Sequence, residues 1–329
     1  MSNRLLGRVD ARWNAPGGLA PPGRLFQQLW LIIVIVLACT LLPLTAQAAT
    51  PEFTIHQYFS PGAGAVNTYW IETANEIIVI DGQRTLSEAQ AALVSIKATQ
   101  KPITAIFLTH PHPDHFTGLR VFADYAPEAP IYGSPITLKT IETDANGLVA
   151  LSRETLGDEF PNQVAVPTEL IEEGDILTIA GIEFQIHQLA PNEAAVMTML
   201  YLPETRTLFS GDLVNNSKTP FLLTQHTTAW VAQLESLSSR FPDADLIYPG
   251  HGEPGSKDVL IRDQLEYLAL FRQLVRDRLA DDRQISTDEK AQIVEHMNTW
   301  YADYLPVAAI PALLEQNIDA IAAELTSES

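Results

Sequence analysis

The segment Thr109-His110-Pro111-His112-Pro113-Asp114-His115 puts three imidazoles and a carboxylate within six residues, directly after an apolar run ending at Leu108. At that density the side chains at the end of a strand cannot all point away from one another. They offer the nitrogen and oxygen donors that zinc prefers. His110 and His112, alternating, can serve one metal, while the adjacent Asp114 and His115 turn toward a second. The plainer alternative is a solvated polar loop, and the crowding of ligand-type residues weighs against it. Two divalent metals side by side can hold a hydroxide and polarise an ester-like oxygen, so the chemistry in view is hydrolysis.

At these residues the sequence resembles the metallo-β-lactamase superfamily of metal-dependent hydrolases, across roughly residues 54–255. Leu208-Phe209-Ser210-Gly211-Asp212 looks like the motif whose aspartate bridges two metals. Tyr248-Pro249-Gly250-His251-Gly252 looks like the motif that supplies the last histidine, and Ile80-Asp81-Gly82 matches the early turn whose aspartate supports the ligands from behind. The resemblance implies an α/β (α+β) fold, a four-layer αββα sandwich with metals at one edge between the two sheets. One position departs from the family pattern. The usual third histidine lies eight residues before a Tyr-Leu-Pro like Tyr201-Leu202-Pro203, and counting back lands on Glu193; His187, the nearest histidine, is six residues too early. A glutamate can ligate zinc, and a carboxylate here resembles the alkylsulfatase branch. The expected set is then His110, His112 and Glu193 on one metal, Asp114, His115 and His251 on the other, Asp212 between them and Asp81 behind. If Glu193 is instead a surface acid, the first site is crippled.

These motifs need a scaffold, and the chain supplies one. Short β-rich runs, each bounded by Gly, Pro or Asp, cover Val66–Ile71, Ile77–Ile80, Ile103–Thr109, Ile182–Leu189, Met197–Leu202, Thr207–Ser210 and Leu246–Tyr248. Helices fit Leu86–Ile96, opened by the capping-box pattern Thr85-Leu86-Ser87-Glu88, and Thr228–Phe241. After Gly255 the pattern turns helical only, with Ile261, Leu265, Leu268, Phe271, Val275 and Leu279 on one face. Ser286-Thr287-Asp288-Glu289 reads as a second capping box, and a final helix ends near Leu325. The expected domains are 49–255, the metal-binding core, and 256–329, a helical extension packed on it.

Residues 1–48 read differently. Arg4, Arg8, Arg12 and Arg24 precede an apolar run from Leu29 to Leu44, and Ala46-Gln47-Ala48 offers small residues to a signal peptidase. This is an export pattern, which predicts a periplasmic or secreted protein with no stable membrane span after cleavage; an uncleaved anchor is the alternative. Cys39, the lone cysteine, leaves with the segment, so disulfides are excluded. The whole chain carries 20 bases against 40 acids; removing residues 1–48 takes four bases and one acid and leaves a net charge of -23. Such a field repels polyanions and excludes nucleic acid as a partner. Oligomeric state has no signature here.

The expected activity is hydrolysis of a small ester-type substrate (lactone, thioester, phosphodiester or sulfate ester), with a metal-bridging hydroxide as nucleophile that Asp114 orients. Two divalent metals are implied, zinc first, with manganese or iron admitted by the oxygen-rich ligands. A true β-lactamase of this superfamily has serine or cysteine where Asp212 stands. The acidity favours a neutral or apolar ester or lactone. The rival readings are a mononuclear iron oxidoreductase like the sulfur dioxygenases and a non-catalytic metal-dependent binding protein. His226, between the bridging aspartate and the last histidine, either reaches the mouth of the site or caps the helix near Thr228; His56 and His296 read as structural.

Glu193 has an electrostatic consequence. Three carboxylates and one hydroxide neutralise two divalent ions, whereas a histidine at 193 would leave one positive charge, and a less positive cluster makes its water less acidic. The Glu193→His variant is therefore expected to move the acidic limb of the pH–rate profile to lower pH; an unshifted limb overturns the reasoning.

Overall fold

The computed structural model describes residues 52–328 apart from 63 and 280–283, so residues 1–48, on which the export expectation rests, and Cys39 among them lie outside the described residues. Two six-stranded sheets form the centre. The first runs β1 (Thr54–Phe59), β2 (Asn67–Glu72), β3 (Ile77–Ile80), β4 (Ile103–Phe107), β5 (Ile131–Gly133) and β6 (Glu169–Leu170) in that order. The second has the order β13-β12-β10-β9-β8-β7, built from β7 (Ile176–Ile179), β8 (Ile182–Leu189), β9 (Met197–Leu202), β10 (Thr207–Gly211), β12 (Leu246–Pro249) and β13 (Gly255–Ser256).

Strand side chains alternate between the two faces of a sheet, and here both faces are apolar because both are covered. Tyr69, Ile71, Ile78, Ile80 and Phe107 of the first sheet meet Ile186, Leu200 and Phe209 of the second in the central core. Their neighbours Trp70, Ile77, Val79 and Ile106 point outward onto helices, among them α1 (Leu86–Ala98) through Ala89, Leu93 and Ile96 and α3 (Leu119–Tyr125) through Leu119 and Phe122. On the far side Met197, Met199, Leu208 and Ile247 pack against Trp230 and Leu234 of α6 (Thr227–Arg240) and Leu268 and Phe271 of α7 (Lys257–Arg276). The result is the four-layer αββα sandwich that the family resemblance implied, built on the layered α/β pattern that the alternation of strands and helices suggested.

Register brings the chemistry to one edge. β3 and β4 run parallel with Ile80 opposite Phe107, so Asp81 and Thr109 emerge together. β10 and β12 run parallel with Gly211 opposite Pro249, so Asp212 and His251 emerge together in the other sheet. The carboxyl ends of parallel strands are where α/β sheets place their ligand sites.

The C-terminal part contains more than helices. Besides α7, α8 (Thr287–Trp300) and α9 (Leu313–Ser327), it contributes β14 (Leu305–Pro306), which pairs in parallel with β11 (Lys218–Thr219) from the site side of the second sheet. Val307 N–H donates to Thr219 O at 3.0 Å and Gly64 N–H to Pro306 O at 3.0 Å. Two residues of strand inside a helical pattern leave no periodic signal, which is why the helix-only reading missed them. Further elements have no counterpart in the runs read from the sequence, among them the helices α2 (Pro113–Phe116), α3, α4 (Pro135–Thr143) and α5 (Leu148–Leu156) and the strands β1, β5, β6, β7 and β13. Among the described residues no helix is long and apolar enough to cross a membrane.

The two capping boxes differ. At Ser286 both halves form, its hydroxyl accepting from Glu289 N–H while the Glu289 carboxylate accepts from Ser286 N–H. At Thr85 only one half forms, because the Glu88 carboxylate accepts from the Tyr58 hydroxyl instead. His226 occupies the N-cap of α6 but its side chain makes no capping bond. Glu324 of α9 does the capping. Its carboxylate accepts from Thr227 N–H (3.0 Å) and Thr228 N–H (2.8 Å) and lies 3.3 Å from the Arg272 guanidinium of α7.

Burial raises the Glu324 pKa, but the donors from Thr227 and Thr228 and the Arg272 charge outweigh it and hold the group below its ordinary 4.5. A carboxylate with a depressed folded pKa stabilises above its unfolded pKa and loses that contribution as pH falls through the folded value. Glu324→Ala is expected to lower stability by about 2–4 kcal/mol at neutral pH, since it strips a helix cap and takes from the buried Arg272 the nearer of its two carboxylates, leaving Glu328 at 3.5 Å. Urea unfolding of both proteins at pH 7 and again near pH 3 checks this: the difference should shrink at the lower pH.

Candidate metal centre

His110 and His112 follow β4, and Pro113 opens α2, whose single turn carries Asp114 and His115. Proline at the first helical position costs no hydrogen bond there and turns the chain at once, so the four ligand-type side chains leave the strand end in different directions around one space. Asp212 enters after β10 and His251 after β12. Glu193 comes from the loop after β8, where Asn192 accounts for the geometry: its side chain bonds Gln233 Oε1 (2.9 Å) and Leu189 O (3.2 Å), and its Oδ1 accepts from Ala194 N–H (3.1 Å).

Two groups result. One donor atom each from His110, His112, Glu193 and Asp212 lie within 4.8 Å of one another, and so do those of Asp114, His115, Asp212 and His251. Asp212 belongs to both: its Oδ1 lies 3.3 Å from His115 Nε2 and its Oδ2 3.0 Å from His251 Nε2 and 3.8 Å from His110 Nε2. Glu193 is 1% exposed, which overturns the surface-acid alternative. The Nε2 atoms of His110, His112, His115 and His251, with Glu193 Oε2 and Asp212 Oδ1, are buried and have no hydrogen-bond partner among the described residues. A buried polar atom without a partner is costly and rare, and six converging on one space fit divalent cations, which such donors satisfy directly.

The electrostatics agree. Burial pushes His110 and His112 below the ordinary histidine range, so both are neutral imidazoles, the form that ligates. Burial also works against protonation of His115 and His251, but the surrounding carboxylates, Asp212 foremost, prevail and lift His251 to about 9. Glu193 is pushed up by burial and then by Asp212 and Asp114, while Asp212 is held down by His251, His115 and His110 despite its burial. Crowded carboxylates are sharing too few positive charges, a balance that metal ions redress by displacing protons.

Behind the ligands, Asp81 takes Thr109 N–H (2.8 Å), the Thr109 hydroxyl (2.8 Å) and His115 Nδ1 (2.8 Å), so His115 presents Nε2 to the site. Asp81 reaches this position with a left-handed backbone, φ 60°. His251 Nδ1 is held by Ala65 O. Asn67, which sequence reading passed over inside a strand, donates to Pro249 O (2.9 Å) and Gly252 O (2.7 Å) and so braces the turn that carries His251. Nothing in a lone strand asparagine announces that role. Gly250 admits no side chain, since a Cβ there would stand 1.9 Å from Asp212 Oδ1.

The other candidates lie elsewhere. His226 is exposed and does not line the cavity at the ligands, and its side chain makes no capping bond. His187 sits against Glu173 and the Phe241 ring, His56 pairs with Glu72 and stacks on Trp70, and His296 stacks on Trp300. His112, Asp114 and Glu193 open onto a cavity of about 630 Å³ whose other walls are largely apolar, among them Leu148, Leu151, Phe221, Leu223, Val307 and Ile310.

Residues 61–251, more than half of the chain, match the family described as the metallo-beta-lactamase superfamily. The chain belongs to that superfamily. It is 29% identical over 239 residues to the linear primary-alkylsulfatase of Pseudomonas sp. (strain ATCC 19151), an alignment that takes in 60% of this chain and 45% of that protein. It is 22% identical over 214 residues to a type 2 metallo-beta-lactamase of Bacillus sp. (strain 170), covering 62% of this chain and 73% of the other. Among solved structures, the stereoselective inverting sec-alkylsulfatase of Pseudomonas sp. superposes with a TM-score of 0.59 at 20% identity, over 81% of this chain and 48% of that one. The chain thus spans about half the length of the alkylsulfatases it matches. The superfamily includes metal-dependent hydrolases, and this chain carries two candidate metal-ligand groups.

Asp81 sets the orientation of His115 and holds Thr109, so Asp81→Ala is expected to weaken metal affinity by about 10- to 100-fold with the fold retained. Competition for the bound metal with a chromogenic chelator, alongside thermal unfolding, measures both.

Proposed function

We propose that the chain is an exported dinuclear metal-dependent hydrolase that cleaves an ester-type bond in a small substrate bearing an apolar chain. One observation carries the reading: two buried ligand groups share Asp212 and open, through His112, Asp114 and Glu193, onto a single cavity with apolar walls.

His110, His112 and Glu193 would hold one metal and Asp114, His115 and His251 the other, with Asp212 common to both. Zinc suits the histidines, and the three carboxylates also suit manganese or iron. Bound there, the metals supply Lewis-acid polarisation of the scissile group and a water ionised at neutral pH. The protein's own part is positional. Asp114 is the most open of the seven, its side chain 16% exposed, and its Oδ2 faces His251 at 3.3 Å and His115 at 3.7 Å. That leaves Oδ1 to accept a hydrogen bond from the attacking water and fix its approach. The apolar walls strip water from the reacting group and strengthen every charge at the ligand end.

Asp212 in the bridging position supports an ester, thioester or sulfate-ester substrate over a β-lactam, and the likeness to proteins named alkylsulfatases supports an aliphatic chain next to the scissile bond. The order of bases, apolar run and small residues in 1–48 supports export.

Metal analysis of purified protein is expected to find two metals per chain, with hydrolysis of chromogenic lactone, thioester, phosphodiester or sulfate-ester probes abolished by chelation and restored by zinc or manganese. One iron per chain supports the dioxygenase alternative instead, and a protein without metal supports the binding module.

A further inference from the structure

The composition of the chain argues for a neutral substrate, since acids outnumber bases two to one. The cavity at the ligands argues otherwise. Arg84 lines it together with His112, Asp114 and Glu193, and it is the one permanent cation among the described lining residues. In a chain so rich in acid an arginine normally finds a carboxylate; Arg84 has no hydrogen-bond or ion-pair partner among the described residues.

Its place is nonetheless built. The backbone on its N-terminal side is clamped, with Gly82 N–H on His115 O (2.7 Å) and Gly118 N–H on Gln83 O (2.8 Å), and the buried Gln83 side chain donates to Val66 O (3.1 Å) and Thr68 Oγ1 (3.0 Å). On its C-terminal side Thr85 caps α1. The guanidinium passes over Gly64, where a Cβ would stand 2.6 Å from Nη1 and 3.1 Å from Ala309 N. A glycine and the Ala309 segment thus leave a slot that the arginine occupies without being bonded in it.

The rest of the cavity is made for an aliphatic chain. α5 buries none of its residues, and its Leu148, Leu151 and Leu156 face the cavity, across from Val307 and Ile310 of the C-terminal segment. Leu151 is 47% exposed, apolar surface at the cavity that a ligand's aliphatic chain would remove from water.

Resting on the hydrolase reading above, we propose that Arg84 is the specificity-determining residue of the site, receiving an anionic group of the substrate while α5 and the 307–311 segment receive its single aliphatic chain. The anion is either the reacting group itself, as in a sulfate half-ester, or a carboxylate elsewhere on the ester; both bind a guanidinium fork in the same way.

The test compares wild type, Arg84→Gln and Arg84→Lys as metal-loaded enzymes. Octyl sulfate carries its anion at the scissile group, 4-nitrophenyl hydrogen suberate carries a carboxylate at the far end of the chain, and 4-nitrophenyl octanoate is neutral. Arg84→Gln is expected to raise KM for whichever anionic substrate the slot receives by about 10- to 100-fold, the worth of one charge-assisted hydrogen bond, with metal content and the neutral ester unaffected. Lysine should restore part of the loss. Equal losses on anionic and neutral esters, or no loss at all, overturn the proposal. Calorimetry with octane-1-sulfonate, which is not hydrolysed, and octan-1-ol, both below micelle formation, separates this outcome from failure of the hydrolase reading. If no ester is turned over, the sulfonate should still bind wild type and lose affinity selectively in Arg84→Gln; sulfonate affinity insensitive to residue 84 refutes the role of Arg84.

Discussion

Four imidazoles and three carboxylates share one almost dry space between the ends of two sheets, and much of the structure serves to keep them there. Taking a carboxylate out of water is expensive, and Asp212 and Glu193 are 1% exposed with oxygen atoms that no protein donor reaches. Protons alone meet that cost poorly, because burial pushes His110 and His112 toward neutrality while the acids compete for the charge on His115 and His251. Divalent cations would meet it directly, which makes the cluster a candidate site for them.

The scaffold's answer is to make the cluster rigid from outside. Parallel pairing of β3 with β4 and of β10 with β12 brings four chain segments out at one edge. Asp81 then sets the face of His115, Ala65 O that of His251, and Asn67 ties the Pro249–Gly252 turn to the opposite sheet. Gly250 keeps its own Cβ out of the Asp212 carboxylate. The Glu193 loop is held in its turn by Asn192, whose side chain donates to Gln233 on α6.

Selectivity is assembled from parts remote in sequence. The loop around Gly64, Arg84 at the entrance to α1, α5 and the segment after β14 all border one cavity, and the C-terminal part reaches it only because two residues of strand add to β11. An extension that packs its helices into the same apolar cluster as the second sheet therefore also forms a wall of the site. Its role in shape and its role in stability meet at α6, whose N-terminus is capped from α9 by Glu324.

The ligand types were legible because they are dense and local: His110 to His115 lie within one turn of chain after a strand, and Asp212 and His251 stand in short glycine-flanked motifs. Most of the longer strands and the helices after Gly255 were legible from periodicity, since a strand covered on both faces and a helix buried on one leave different repeats; their arrangement as two sheets between two helix layers was implied by the family resemblance. What the sequence could not decide was anything that rests on a partner far along the chain. Whether Glu193 was a surface acid or a buried one depended on how its loop folded back, and whether His226 capped α6 depended on Glu324, almost a hundred residues later. The charge count pointed to a neutral ligand, yet charge acts over a few ångströms in a cavity. Only tertiary structure placed Arg84 in the same space as the ligand groups with no ion-pair partner among the described residues, because a sum over the chain says nothing about which charges are neighbours.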